Sequence, residues 1–301
     1  MQAEPRFFSL LVPNGSGIQF WCVNERNAYR VGAGDPRTAK NCFIQIDPAK
    51  DLAQQFAAAF PFWPGLNLHE IPLPPGGYYA RMARPTTLQP DDFPRFPTHS
   101  LYINEISGTV GQLISLVEKL RGICQVVEPV PENLDAFGHA IRECLIIACT
   151  EVESHWKAVL SANGMMKDRY TTNDYIKTLL PLKLDQYEVE LLKFPLCGRF
   201  SPFRGWDASA PTTTLAFYDA YNAVKHDREK EFSRATLRHS LEATCACFIM
   251  AIAQFGYSSV VQKNRDILEF FRIAQRPSWS PSEVYCNEAE DFTPSEFKYP
   301  F

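Results

Sequence analysis

The stretch NLDAFGHAIRECLIIACTEVESHWKAVLSANG, residues 133–164, decides the fold. Its apolar residues recur at steps of three and four, the period of a helix that buries one stripe. Asn133 stands where an N-cap is expected, since its side chain can accept from the free N–H groups of a first turn. Asn163-Gly164 supplies the stop, because glycine enters the left-handed turn that ends helices without steric cost. So long a helix needs partners for its stripe, and the sequence around it is expected to provide them as a bundle.

Working outward, TVGQLISLVEKLRGICQVV (109–127) sets Val110, Leu113, Ile114, Val117 and Leu120 on one face. Downstream, TTNDYIKTLL (171–180) offers threonine caps. PTTTLAFYDAYNAVKHDREKEF (211–232) predicts a helix opening at Pro211, and SRATLRHSLEATCACFIMAIAQFG (233–256) predicts one from a Ser233 cap to Gly256. NRDILEFFRIAQ (264–275) predicts a last helix, and the polar, proline-broken residues from 277 to 301 read as an extended arm. Residues 194–211, FPLCGRFSPFRGWDASAP, form an aromatic-rich connection too long for a turn, expected to pack over the bundle or to line a cleft.

The first hundred residues change period. RFFSLLV, GIQFWCV, NAYRV and NCFIQI are short β-prone runs, separated by turn compositions such as PNGSG and GAGDPR. Asp47-Pro48 reads as the start of a helix over AKDLAQQFAAAF, and the prolines of IPLPPGGYY and DDFPRFP argue against long regular elements after it. The expected architecture is a small α+β domain with a proline-rich exit over 1–104, a mainly α-helical bundle over 105–276 and the arm over 277–301.

A hydrophobic content of 46%, a charged content of 21% and a net charge of -4 describe a globular chain without the basic field that would hold nucleic acid or an anionic membrane as a whole, so a polyanion would need a local patch. Nine scattered cysteines without a Cys-x-x-Cys pair argue against a disulfide framework or a zinc site, and several lie in apolar runs, as in reduced cytoplasmic proteins. The longest apolar run, CACFIMAIA, is too short for a bilayer, so no membrane association is expected. The glycines of NGSGIQF and VGAGDPR lack the spacing and the lysine of a phosphate-binding loop, His69 and His99 stand alone in loops, and neither a Gly-x-Ser-x-Gly elbow nor a His-Glu-x-x-His pair occurs.

The densest polar cluster is FYDAYNAVKHDREKEF (217–232). At about 100° per residue, Phe217, Ala220, Tyr221 and Val224 share a core-facing side, while Asn222 and His226 stand one turn apart opposite it, with Tyr218, Asp219, Lys225 and Glu229. Imidazole moves protons near neutrality, an ammonium holds phosphate, and an amide orients either. The alternative is a solvated helix end whose cations Lys225, His226 and Arg228 suit the negative pole of the helix dipole. Glu151 and Glu153 of the long helix are candidates to meet His226 or Lys225 across the bundle, or are flank acids in water.

The segments AYNAVKHDRE and PTTTLAFYD, with ACTEVESHWKAVL upstream, resemble the HEPN superfamily of compact all-α domains, over roughly residues 133–256. In its motif of arginine, a polar residue, three residues and histidine, Asn222 falls on the polar position and His226 on the histidine, with Tyr221 in the arginine's place. The resemblance implies a homodimer acting on RNA or nucleotides as a metal-independent endoribonuclease without cofactor. His226, Asn222, Lys225 and Glu153 would be catalytic, with Tyr218, Tyr221, Arg228 and Asp219 in binding. It implies equally a non-catalytic interaction or scaffold module whose polar cluster is structural. A second arginine-to-histidine spacing, Arg234 to His239, lies in RATLRH.

Overall fold

The computed structural model describes residues 4–12, 17–34, 39–89, 93–95, 102–286 and 293–301. The expected glycine turn at 13–16, part of the loop at 31–42, most of DDFPRFP, His99 and the middle of the arm lie outside these residues.

The β-prone runs form strands β1 (Arg6–Leu11), β2 (Ile18–Val23), β3 (Asn27–Arg30) and β4 (Phe43–Gln45), followed by helix α1 (Leu52–Ala59) and strands β5 (Leu68–Ile71) and β6 (Gly77–Tyr79). The first five strands make an antiparallel sheet in the order β4-β3-β2-β1-β5. Alternation along each strand sends side chains to opposite faces. Phe8, Leu10, Trp21, Val23 and Ala28 meet Phe56 of α1 and Phe60 just beyond it, while Ile18, Phe20, Cys22 and Ile71 are covered by Val284 and Cys286. His69 therefore lies on a strand rather than in a loop. The Asp47-Pro48 start is corrected as well: Asp47 accepts from Ala49 in a local turn, and α1 begins four residues later with Asp51 Oδ1 accepting from Gln54 N at 2.9 Å.

The helical unit is built on α2 (Ile103–Cys124), α3 (His139–Ala162), α6 (Ala216–His226) and α8 (Leu237–Phe255). Short helices α4 (Thr172–Tyr175), α5 (Leu179–Leu182), α7 (Arg228–Glu231) and α9 (Arg265–Leu268) lie between or after them. α3 packs along α8, and α2 and α6 each pack on both. From Ala243 to Phe255 every residue of α8 is buried, which explains an apolar run with no polar face. Gly164 (φ +88°) and Gly256 (φ +80°) take positive φ just beyond α3 and α8, a backbone region that glycine enters without steric cost. Asn133 does not cap α3: it sits in a separate turn, its amide donating to Glu128 O, and α3 starts after Gly138. Thr236, not Ser233, caps α8, accepting from His239 N.

The segment expected as a last helix divides into α9 and strand β9 (Phe271–Gln275). Phe271 and Arg272 alternate inward and outward opposite Leu191 and Glu190 of β7 (Glu188–Leu191), so sheet pairing overrides the helical reading. β8 (Arg199–Phe200) completes this three-stranded sheet. The 194–211 connection packs over the bundle: Phe200, Phe203 and Trp206 are buried, Trp206 lies 5.1 Å from Trp156 between ring centroids, and its indole N–H donates to Pro211 O at 2.7 Å.

The three expected segments are not the packing units. One unit comprises 1–78, 84–97 and 279–297, the other 79–83, 98–278 and 298–301. The arm is shared because Val284 and Cys286 fill the sheet's second face and β10 (Ser295–Phe297) pairs with β6, whereas Tyr299 N donates to Asn163 Oδ1 in the helical unit. Asn163 also donates to Ala80 O, which brings 79–83 to the end of α3. Among the described residues no helix is long and apolar enough to cross a membrane.

Candidate functional site

α6 begins five residues beyond Pro211, after turns in which Thr214 Oγ1 donates to Ala210 O, and it ends at Asp227, whose carboxylate accepts from Lys230 N and so opens α7. The helix buries Phe217, Ala220, Tyr221 and Val224, as the rotation per residue demands. Tyr218 is buried too, and so does not belong to the open polar face.

The expected cluster separates along the two shoulders of α6. On one shoulder, Tyr218 Oη donates to Glu153 Oε1 at 2.7 Å, and Glu153 Oε2 meets Lys157 at 3.2 Å. Burial, reinforced by the bond to this carboxylate, pushes the Tyr218 phenol far above its ordinary range. Beside it, with ring centroids 5.4 Å apart, stands Tyr221, whose hydroxyl accepts from Lys225 Nζ at 2.8 Å. That bond, aided by the charge of Glu153, raises the Lys225 pKa and keeps the side chain cationic. Glu153 therefore meets a tyrosine and a lysine of its own helix rather than His226.

On the other shoulder Asp219 pairs with Arg234 at 2.5 Å, not with the histidine. Asn222 is half-buried and His226 exposed, one turn apart, and neither side chain makes a hydrogen bond among the described residues. Arg228 is exposed on α7, past the break at Asp227, and so is not on the same helix as His226. Structure thus brings Asn222 and His226 together and assigns Lys225, Glu153, Tyr218 and Asp219 to other partners.

Sequence reasoning missed Arg142 of α3, whose guanidinium donates to Val224 O at 3.1 Å and so lies against the last turn of α6. Its Nε is enclosed without a partner. Nothing in the one-dimensional pattern links position 142 to 224. A pair of aromatics flanks the same end: Phe137 and Phe232 meet edge to face at 5.9 Å, with the His139 ring 4.9 Å from Phe232. The Arg234 and His239 spacing is local structure, with His239 Nδ1 2.8 Å from Arg234 O and burial lowering the imidazole's pKa. Among the described residues no three His, Cys, Asp or Glu side chains are grouped to hold a metal ion.

No family model, curated protein or solved structure matches the chain, so the site stands on its geometry.

Proposed function

We propose that the chain is an HEPN-like helical protein that binds RNA at the open edge of α6 and uses His226 as general acid or base in metal-independent cleavage. The observation that carries this reading is an exposed, unbonded imidazole one turn from the Asn222 amide, beside the helix end where the Arg142 guanidinium is anchored. An imidazole can accept the proton of an attacking 2'-hydroxyl or return one to a leaving oxygen, and a guanidinium offsets charge on the phosphate. Homodimerisation belongs to the same reading, and nine unpaired, buried cysteines support a reducing, cytoplasmic setting.

A second reading, a non-catalytic interaction module, is favoured by one observation: Lys225, Asp219, Glu153 and Tyr218 are already bonded within the protein. Incubating the purified chain with single-stranded RNA in chelator separates the two. On the catalytic reading His226→Ala slows cleavage by about 100-fold or more while RNA binding persists. Binding without cleavage by the unaltered chain leaves the module reading, and failure to bind RNA ends the assignment to RNA.

A further inference from the structure

Arg81 of the helical unit is one of three non-glycine residues among those described that adopt positive φ, at +54°, a conformation that non-glycine residues hold at a cost and often at ligand sites. Its Nε donates to Gln254 Oε1 at 2.8 Å, and its guanidinium carbon lies 4.9 Å from the Phe255 ring centroid. Gln254 is fully buried and cannot be turned over. Its Nε2 donates to Met250 O at 2.8 Å and to His155 Nδ1 at 3.0 Å, and flipping the amide would set oxygen against oxygen and nitrogen against nitrogen. His155 Nδ1 is therefore the acceptor, and the buried ring is neutral with its proton on Nε2. Burial drives its pKa down to about 3, with the charge of Arg81 acting in the same direction.

This scaffold immobilises a guanidinium by one nitrogen and one face. Among the described residues the terminal nitrogens have no hydrogen-bond partner, and they are not enclosed. Arg199, Arg234 and Arg272, all on the same unit, each meet a carboxylate, whereas Arg81 meets none within ion-pair distance among the described residues. A guanidinium anchored at Nε and on one face, with its fork open, is arranged to receive an anion. Burial lowers its pKa, opposed by Tyr102 at the N-cap of α2 and by Glu105 on the first turn of that helix, both near enough to act on its charge. One guanidinium with a carboxylate already nearby balances a single negative charge better than two. Its fork matches the two oxygens of a carboxylate. The Tyr102 ring, 6.2 Å from Phe255, adds an apolar wall.

We infer that Arg81, backed by Gln254 and flanked by Phe255 and Tyr102, is a binding site for a small carboxylate with an apolar body. Isothermal titration of the full chain with benzoate, acetate and inorganic phosphate at constant ionic strength tests it. Benzoate binds one to one and more tightly than acetate, and Arg81→Lys, which keeps the charge but loses the fork and the Nε anchor, weakens it by about tenfold or more. Glu105→Gln, a change at an exposed position that leaves the fold intact, tightens benzoate several-fold by removing the competing charge. Absence of saturable binding, phosphate binding above benzoate, or indifference to Glu105→Gln overturns the assignment. The last of these holds even if Arg81→Lys does not fold.

Discussion

Glu242 on α8 shows how one side chain sets a pH dependence. Burial raises its pKa to about 7 from an ordinary value of 4.5, with Arg238 opposing the shift from one turn away. The folded chain therefore holds the proton more tightly than the unfolded chain does. The stabilising contribution is complete below pH 4.5 and is lost as pH rises through 7. His155 acts in the opposite sense, since the unfolded imidazole takes up a proton near pH 6.5 that the folded one refuses until about 3. Its contribution is complete above 6.5 and is lost as the pH falls. Glu242→Gln removes the first dependence alone. Urea denaturation at pH 5 and pH 8 is expected to show the variant gaining about 1–3 kcal/mol over the unaltered chain at pH 8 relative to pH 5.

At the scale of elements, α1 depends on its first turn, because Asp51 relieves the free N–H groups there by accepting from Gln54 N. Asp51→Ala should cost about 1 kcal/mol in a denaturant titration, with Asp47→Ala costing less because Asp47 serves only the preceding turn. The caps themselves are legible only to within a few residues, since the sequence points to Asp47, Asn133 and Ser233 where Asp51, Gly138 and Thr236 stand; period and glycine stops are more closely legible. Four of the five strands of the front sheet, the stripe on α2, the glycine stops of α3 and α8 and the buried side of α6 all follow from period and turn residues, whereas β5 does not. What did not follow depends on partners remote in the chain. β9 is a strand because Glu190 and Leu191 lie opposite it, and no residue within 264–275 announces that. Likewise the shoulder of α6 could be drawn from a helical wheel, yet Tyr218 turned out to be committed to Glu153, Asp219 to Arg234, and the end of the helix to Arg142.

At the scale of the whole molecule, each unit is assembled from three separate stretches of chain, so a cut at the expected boundaries removes parts of both. Residues 298–301 illustrate the cost. Tyr299 packs its ring 5.1 Å from Tyr79 and donates its N–H to the buried Asn163 amide oxygen. Deleting 298–301 leaves that oxygen unsatisfied and is expected to lower stability by about 1–3 kcal/mol, measured by chemical denaturation of the helical signal. The same interleaving orders events on the ribosome. Val284 and Cys286 emerge after every strand of the front sheet, so Phe20 and Ile71 remain uncovered on the nascent polypeptide until residues 284–286 have been made. For that interval the half-built sheet presents a sticky flank, and the burden of keeping it from aggregating falls on chaperones rather than on the fold itself.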